Sequence, residues 1–253
     1  MNDLELYFRN NKGRLIHKWD HYFEVYDAHF SRFRNKDVTI LEIGVSQGGS
    51  LQMWKHYFGS KAKIYGIDIN PECKGFEEEN IKIFIGSQSD RNFLKDVVAS
   101  IPSIDILIDD GGHFMKQQII SFQELFNHIK EDGVYLCEDC ETSYLPEYGG
   151  GVKRPGSYIE YSKNWIDDIN AWYSKEKRLP VNERTKSMKS VHFYNGIVVV
   201  EKGKTTQPVH TMTGIKSFSG PISQPAPTSI FNRIYIKNKV NRILNSLKLP
   251  YIE

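Results

Sequence analysis

The sequence lacks any stretch that predicts membrane insertion or secretion. No run of about 18 apolar residues, the shortest candidate for a membrane-spanning helix, occurs in the 253 residues. The first residues, "MNDLELYFRNN", also lack the basic-then-apolar layout of a secretory signal. We therefore expect a cytoplasmic protein without a transmembrane segment.

An excess of either charge is also missing. The 33 Lys and Arg residues balance 31 Asp and Glu residues to a formal charge of +2, whereas a dedicated nucleic-acid binder is usually strongly basic. The apolar content of 40% and charged content of 25% are those of a soluble globular protein with a sizeable core. We expect one decorated domain, or two small ones, and no nucleic-acid partner.

Cysteine is scarce, with only Cys73, Cys137 and Cys140 in the chain. The last two form a C-x-x-C pair, which in other contexts marks a redox pair or half of a zinc site. Both uses need more surrounding signals than this pair has. We interpret the two cysteines as small residues that flank acids at the end of a strand.

The rest of the chain alternates between candidate strands and helices. The candidate strands are 38–45, 62–69, 81–86, 104–109 and 133–139, and the helices between them are 49–58, 92–101 and 116–129. Such alternation is typical of βαβ units and a parallel sheet. Residues 190–203 predict a hairpin around an Asn-Gly turn. We therefore predict an α/β fold, a Rossmann-like three-layer sandwich whose seven-stranded, mostly parallel sheet ends in an antiparallel C-terminal hairpin.

Segments at both ends complete the predicted organisation. Residues 3–34 have a helical pattern that is interrupted near Gly13, and a proline-containing linker at 221–227 precedes a basic amphipathic helix at 231–248. That helix serves either assembly or anchoring, or it packs onto the core. We divide the chain into an N-terminal helical lid or extension, a Rossmann-like domain, and a linker with the C-terminal helix, at residues 1–36, 37–203 and 204–253.

Polar stretches follow the predicted strands at their carboxyl ends, where open parallel sheets bind ligands. "LEIGVSQGGS" (41–50) places glycines between a strand and a helix, where backbone N–H groups can approach a ligand. Its glycine spacing departs from the G-x-G-x-x-G dinucleotide fingerprint. Asp68 ends the second strand, where an acid commonly accepts hydrogen bonds from ribose, and "GSQSD" (86–90) ends the third. A helix cap is the alternative role for both.

Two acidic stretches follow the next two strands. "IDDGGH" (108–113) comes after the fourth strand, and "CEDCE" (137–141) comes after the fifth. If these strands are neighbours, the acids and the histidine lie together.

Together, "ILEIGVSQGGSLQMW", "IYGIDIN", "GSQSD", "LIDDGGH" and "YLCEDCETSYLPEYGGG" resemble class I S-adenosylmethionine-dependent methyltransferases. More narrowly, they resemble the metal-dependent sugar O-methyltransferases of macrolide and bacterial surface-glycan pathways. The resemblance covers roughly residues 10–203. "LEIG" is generic to the superfamily, but the Asp-x-x-His motif with the Glu-Asp pair and the Tyr-Gly-Gly-Gly loop is far more specific.

The resemblance implies a role for individual residues. The loop after the first strand would line the methionine part of the cofactor, Asp68 would bind its ribose, and the third strand's end would border its adenine. The implied cofactor-binding residues are Glu42, Gly44, Ser46, Asp68, Ser87, Gln88 and Asp109. The implied metal ligands are Asp110, Glu138 and Asp139, and the implied base is His113. Asp109 competes with Asp110 for the ligand role, but strand alternation turns only one of them to the site, and the resemblance favours Asp110.

The chemistry of this residue set agrees with that assignment. Three carboxylates without thiolate or imidazole suit a hard divalent cation, magnesium first, with manganese or calcium as alternatives. Such an ion makes an alcohol more acidic and orients it. His113, three residues beyond Asp110, can accept the proton. A capping or ligand-orienting imidazole is the alternative role for His113.

Two aromatic stretches are candidates for closing the site. "SYLPEYGGG" (143–151) predicts a loop that closes over the acceptor and excludes water, and an ordinary flexible connection is the alternative. Its substrate-contacting residues would be Tyr144, Tyr148, Gly149 and Gly150. The stretch at 19–29, with His17 and Lys18 before it, predicts either a cofactor lid or sugar-stacking surface, or core packing.

These patterns predict an S-adenosylmethionine- and divalent-metal-dependent O-methyltransferase that acts on a sugar hydroxyl of a surface glycan or natural product. Its partner would be a small-molecule or glycan acceptor, and a homo-oligomer is left open.

A methyltransferase for another small hydroxylated acceptor is one alternative. A nicotinamide-dependent oxidoreductase is disfavoured because no Tyr-x-x-x-Lys pair lies near the fifth strand. A base-modifying nucleic-acid methyltransferase would carry Asn/Asp-Pro-Pro-aromatic where this chain has "DDGGH", and a non-catalytic binding protein would have no use for the acids.

Overall fold

The computed structural model describes residues 1–219 and 233–247. Its strands are β1 (Thr39–Ile43), β2 (Lys63–Asp68), β3 (Ile81–Ile85), β4 (Ile104–Asp109), β5 (Ile129–Cys137), β6 (Met188–Phe193) and β7 (Val198–Lys202). Its α-helices are α1 (Asp3–Arg9), α2 (Tyr22–Phe30), α3 (Gly49–Phe58), α4 (Arg91–Ala99), α5 (Met115–Leu125), α6 (Tyr158–Asn170), α7 (Glu183–Ser187) and α8 (Arg233–Ser246).

The seven strands form one sheet in the order β3-β2-β1-β4-β5-β7-β6. Strands β1 to β5 pair in parallel, and β7 is antiparallel to both β5 and β6. Gly196 has φ +76° in the predicted Asn-Gly turn between β6 and β7. The predicted fold is therefore confirmed. The chain order reverses between β1 and β4, which is where such sheets bind ligands.

Both faces of the sheet are covered, because neighbouring residues of a strand point to opposite sides. Ile40 of β1 packs with α1, α2 and α3, whereas Leu41 packs with α4, α5 and α6. Ile106 and Leu107 of β4 divide in the same way. Strands that are buried on both faces have nearly continuous apolar sequences. This is why "TILEI" and "IDILID" do not alternate regularly between apolar and polar residues.

The N-terminal segment is less helical than predicted. Helices α1 and α2 form, but residues 10–21 between them are irregular. Helix α2 supplies core aromatics, since Phe23, Tyr26 and Phe30 are fully buried. The ring of Tyr26 meets that of Trp54 edge-on at 5.2 Å between centroids. Most of the aromatic stretch is therefore core packing.

The chain divides into two compact units, Met1–Pro208 and Val209–Glu253. The first unit contains the N-terminal segment, the whole sheet and every predicted site residue. The second contains α8, and both Ile243 of α8 and the following Leu247 are exposed. The predicted linker at 221–227 lies outside the described residues, and the predicted domain boundaries remain predictions. Among the helices that the structure describes, none combines the length and hydropathy needed to span a membrane.

Candidate active site

The turn after β1 forms one wall of a cavity of about 230 Å³ at the carboxyl ends of the strands. Gly44 in this turn has φ +95°, and a Cβ atom there would lie 1.9 Å from the backbone oxygen of Asp110. A side chain at this position would therefore separate the ends of β1 and β4. The predicted cofactor residues that border this cavity are Gly44, Ser46, Asp68, Ser87 and Gln88.

Asp68 lies on the cavity wall and fixes the turn after β1. Its carboxylate accepts hydrogen bonds from the backbone N–H groups of Ser46, at 2.9 Å, and Asn70, at 2.8 Å. Each oxygen keeps a second lone pair, so the carboxylate can also accept two hydroxyl groups. The capping role is taken by Asn70, which caps the short 3₁₀ helix that follows. The position of Asp68 suits the predicted ribose contact.

Gln88 and Asp109 form a buried network beside this cavity. The Gln88 amide nitrogen donates to Asp109 at 3.0 Å, and its oxygen accepts from the backbone of Gly112 at 2.7 Å. Burial raises the pKa of Asp109 to about 6. Gln88 therefore holds the glycine turn after β4 in place. Asp109 lies outside the lining of the cavity, and its predicted cofactor contact remains a prediction.

Glu42 is buried beneath the same turn. Its carboxylate accepts hydrogen bonds from Ser50, at 2.8 Å, and from the Trp54 indole, at 2.9 Å. Burial raises its pKa to about 7. These contacts attach the end of β1 to the first turns of α3. Glu42 also lies outside the cavity lining, so its predicted contact with the cofactor remains a prediction.

The two acidic stretches meet, because β4 and β5 are parallel neighbours. The Asp110 N–H donates to Ile43 and the Glu138 N–H donates to Asp109, each at 2.9 Å. Asp139 follows with a left-handed backbone, φ +50°, which reverses the chain directly after the strand. Asp110, Glu138 and Asp139 are thus placed at the carboxyl end of the sheet, and Asp110 also lines the cavity after β1.

A lysine from the N-terminal segment lies between two of these acids. The Nζ atom of Lys18 is 2.5 Å from Asp110 Oδ2 and 2.8 Å from Glu138 Oε2, and its side chain is only 3% exposed. Burial lowers the pKa of Lys18, but the two carboxylates outweigh burial and raise it above its ordinary value. Burial raises the pKa of Glu138 well above its ordinary range.

His113 faces the other side of the acid group. Its Nε2 atom is 3.5 Å from Asp139 Oδ2 and 3.9 Å from Asp110 Oδ1. One ligand atom from each of these three residues lies within 4.8 Å of the other two. Within the described residues, the buried Glu138 Oε1 atom has no hydrogen-bond partner. A hard cation fits this set, because oxygen donors dominate it and one buried carboxylate oxygen remains unsatisfied.

The glycine-rich loop after β5 borders a second, more open space. Tyr148 meets Phe114 at 5.4 Å between ring centroids, and both residues, with Gly149, line a cavity of about 530 Å³. Tyr144 is 51% exposed. A Cβ atom on Gly150 would lie 2.4 Å from the Thr142 carbonyl oxygen. The loop is therefore tightly packed at Gly150 and presents aromatic rings to solvent beside it.

The contacts of Lys18 and Tyr22 with the acids were not predicted from the sequence. The Tyr22 hydroxyl donates to Asp139 Oδ1 at 2.8 Å, and Lys18 pairs with the two other acids. Nothing local in "HKWDHYF" indicates these partners, which are 92 to 120 residues away in the chain. The one available signal was a lone basic residue in an aromatic segment.

Comparison with known proteins identifies several O-methyltransferases as relatives. The chain is 34% identical over 201 residues to 8-demethyl-8-(2-methoxy-alpha-L-rhamnosyl)-tetracenomycin-C 3'-O-methyltransferase of Streptomyces olivaceus, a match that covers 75% of this chain and 51% of that protein. It is 33% identical over 213 residues to demethylmacrocin O-methyltransferase of Streptomyces fradiae, covering 76% of this chain and 52% of the relative. No family model matches the chain.

A solved structure supports the same relationship. The MycE methyltransferase from the mycinamycin biosynthetic pathway, in complex with Mg, SAH and mycinamycin VI, aligns with a TM-score of 0.69 and 32% identity. The alignment covers 80% of this chain and 53% of MycE. The chain therefore has the α/β fold of a class I methyltransferase. The resemblance predicted from its motifs is confirmed, since its homologues are sugar O-methyltransferases. The chain spans about half the length of the curated relatives it matches.

Proposed function

We propose that the protein is an S-adenosylmethionine-dependent and divalent-metal-dependent O-methyltransferase that acts on a sugar hydroxyl. The observation that carries this proposal is the meeting of Asp110, Glu138, Asp139 and His113 at the edge of the cofactor cavity. The names of two relatives include a rhamnosyl tetracenomycin and demethylmacrocin, and MycE was solved with Mg, SAH and mycinamycin VI. A small-molecule or glycan sugar is therefore the proposed acceptor. The predicted cytoplasmic location and homo-oligomer remain predictions.

In this proposal the cavity beside Asp68 holds the cofactor. Ser46 and Gly44 approach its methionine part with backbone groups, Asp68 binds the ribose, and Ser87 with Gln88 borders the adenine. This arrangement would direct the sulfonium methyl group towards the acids at the ends of β4 and β5. The exposed ring of Tyr144 and the partly buried ring of Tyr148 would contact the acceptor.

The acids would hold the cation, which supplies Lewis acidity to the acceptor hydroxyl. His113 would accept the hydroxyl proton at Nε2, and the nearby carboxylates of Asp139 and Asp110 would stabilise the resulting imidazolium. The acceptor oxygen then forms a bond to the methyl carbon as the carbon–sulfur bond breaks and the electron pair stays on sulfur. A positioned base contributes about 10²–10⁴-fold to such a step.

The test is methyl transfer from labelled S-adenosylmethionine to a panel of nucleotide sugars, glycosides and glycans, with and without a chelator. We expect transfer that is lost on chelation and restored by magnesium. Asp110→Ala, Glu138→Ala and Asp139→Ala should each lower metal affinity and turnover together. Full activity in the chelated protein would contradict the metal part of the proposal. Binding of NAD instead of S-adenosylhomocysteine would contradict the methyltransferase part.

A further inference from the structure

We propose that Lys18 and Tyr22 are positioning residues that orient the three acids for the cation. This inference rests on the proposed function and adds two residues to it. Both residues belong to the N-terminal segment, which is distant in sequence from the acids. Neither is a candidate metal ligand, because an ammonium group has no lone pair and the tyrosine hydroxyl already bonds to Asp139.

The contacts divide the oxygens of the acids into two sets. One oxygen of each acid meets a donor from the N-terminal segment: Asp110 Oδ2 and Glu138 Oε2 meet Lys18, and Asp139 Oδ1 meets Tyr22. The other oxygen of each acid lies outside these three contacts. Asp110 Oδ1 and Asp139 Oδ2 face His113, and Glu138 Oε1 is buried without a hydrogen-bond partner among the described residues.

This division of the oxygens favours a Lys18 that positions the acids over a Lys18 that competes with the cation for them. A lysine that merely occupied the place of the cation would be expected to use the oxygens nearest the shared centre of the group. Instead, Asp110 and Asp139 keep their oxygens on the His113 side free of Lys18 and Tyr22. Glu138 lies outside the close group that Asp110, His113 and Asp139 form, and its pairing with Lys18 holds it beside that group with one oxygen to spare.

The donors themselves belong to segments that pack against the core and α3. Tyr22 is 1% exposed, and its hydroxyl also accepts a hydrogen bond from the Asp139 N–H at 3.3 Å. It begins α2, whose Phe23 and Phe30 are buried in the core. The segment before Lys18 lies against α3, since a Cβ atom on Gly49 would lie 2.2 Å from the Leu15 carbonyl oxygen. Fixed partners of this kind orient metal-binding side chains before the ion arrives.

Removal of such partners typically costs about 10–100-fold in metal affinity. The charge of Lys18 acts in the opposite direction, because a cation beside the site repels a second cation. The two roles therefore predict opposite changes in metal affinity when Lys18 is replaced. If Lys18 positions the acids, its removal weakens metal binding, and if it competes for the acids, its removal strengthens metal binding.

The experiment measures Mn²⁺ affinity of the full chain by calorimetry and by electron paramagnetic resonance, without acceptor or turnover. The variants are Tyr22→Phe, which removes only the hydroxyl, and Lys18→Met, which keeps a side chain of similar length. Each has a matched control elsewhere. Tyr57→Phe removes a hydroxyl that donates to Asp27 at 2.6 Å, and Lys130→Met removes an ammonium that pairs with Asp105 at 2.8 Å.

We expect Mn²⁺ affinity to fall about 10–100-fold in Tyr22→Phe and Lys18→Met and to stay at the wild-type value in both controls. Lys18→Gln, which retains two N–H donors without the charge, should recover part of the loss. Thermal unfolding without metal confirms that each variant is folded, and Tyr22→Phe decides the matter if Lys18→Met does not fold. Unchanged affinity in Tyr22→Phe, or tighter binding in Lys18→Met, would overturn the inference. A wild-type protein that binds no divalent ion would instead refute the proposed metal site itself.

Discussion

Asp68 is the residue on which the proposed cofactor site depends most directly. It lines the cavity and has lone pairs left after it has accepted two backbone N–H groups. A hydrogen bond to a charged group contributes about 1.5–3 kcal/mol. We therefore expect Asp68→Ala to weaken binding of S-adenosylhomocysteine by about 10-fold or more, measured by calorimetry.

A matched control separates ribose binding from loss of the local backbone contacts. Asp90 also accepts two backbone N–H groups, those of Asn92 and Phe93, but as the cap of α4. Asp90→Ala should leave cofactor affinity unchanged. Equal affinity in Asp68→Ala and the wild type would remove the ribose assignment.

His113 has two candidate roles that one variant distinguishes. If it is the base, His113→Ala should keep metal and cofactor affinity and lose about 10²–10⁴-fold in turnover. Its Nε2 atom also lies near Asp110 and Asp139, so a role as metal ligand is the competing interpretation. We expect a loss of turnover with unchanged metal affinity, because the His113 imidazole lies beside carboxylates that would stabilise it once it has accepted a proton. A parallel loss of Mn²⁺ affinity in His113→Ala would make it a ligand instead.

The two aspartates after β4 and the partners of Lys18 and Tyr22 show what the sequence could and could not predict. Asp110 rather than Asp109 was expected to face the site, and the structure places Asp110 beside His113 while Asp109 is buried with Gln88. Strand alternation is a local rule that turns only one of the two aspartates towards the site, and the choice of Asp110 came from the family resemblance. The partners of Lys18 and Tyr22 depend instead on how a distant segment packs, and no local periodicity encodes that.

At the scale of elements, α2 is attached to the hairpin by a charged network. His29 lies 2.5 Å from Glu201 of β7 and 2.9 Å from the Tyr194 hydroxyl, and Arg32 lies 2.5 Å from Glu201. Burial alone would raise the pKa of Glu201, but the hydrogen bonds from His29 and Arg32 outweigh it and lower that pKa from 4.5 to about 2. The network fixes the helix that presents Tyr22 to Asp139.

This network predicts a pH-dependent contribution to stability. Because the pKa of Glu201 is lowered in the folded protein, its stabilising effect is complete above about pH 4.5 and disappears as the pH falls towards 2. Glu201→Gln should lower the free energy of unfolding in urea by about 1–3 kcal/mol at pH 7. The difference from wild type should shrink as the pH falls from 4.5 to 3.

The control for this prediction is Glu183→Gln. Glu183 pairs with Lys186 at 2.8 Å, but its side chain is 84% exposed, and exposed pairs contribute little. That variant should unfold like the wild type at every pH. A constant difference between Glu201→Gln and wild type from pH 7 to pH 3 would show that the Glu201 carboxylate is not the source of the effect.

Elements were easier to predict than their contacts, for a physical reason. Strands β1 to β5 and helices α3 to α5 follow from apolar periodicity and from glycine or acidic residues at their ends, which are local signals. Residues 10–21 carry apolar and aromatic residues as a helix would, yet they are irregular. Their conformation is set by contacts with α3 and the acids, as the approach of Leu15 to Gly49 shows.

At the scale of the whole molecule, the first compact unit ends at Pro208, and the predicted boundary after residue 203 remains a prediction. Thr205 attaches the segment after β7 to this unit. Its hydroxyl accepts from Trp172 at 3.2 Å and donates to the Thr185 carbonyl at 2.5 Å, and its N–H donates to Lys186 at 2.8 Å. The segment after β7 thereby connects α7 to the residues that follow α6.

Two truncations test where the catalytic unit ends. A chain of residues 1–208 retains every proposed site residue and the contacts of Thr205, so we expect wild-type affinity for S-adenosylhomocysteine and Mn²⁺. A chain of residues 1–203 loses those three hydrogen bonds and should be less stable by about 1.5–4.5 kcal/mol in urea unfolding, since each contributes about 0.5–1.5 kcal/mol. Its affinities for S-adenosylhomocysteine and Mn²⁺ should still equal those of the wild type, because Thr205 touches no site residue. If the 1–208 chain folds but fails to bind either ligand, residues 209–253 belong to the functional unit, and the proposed site is incomplete without them.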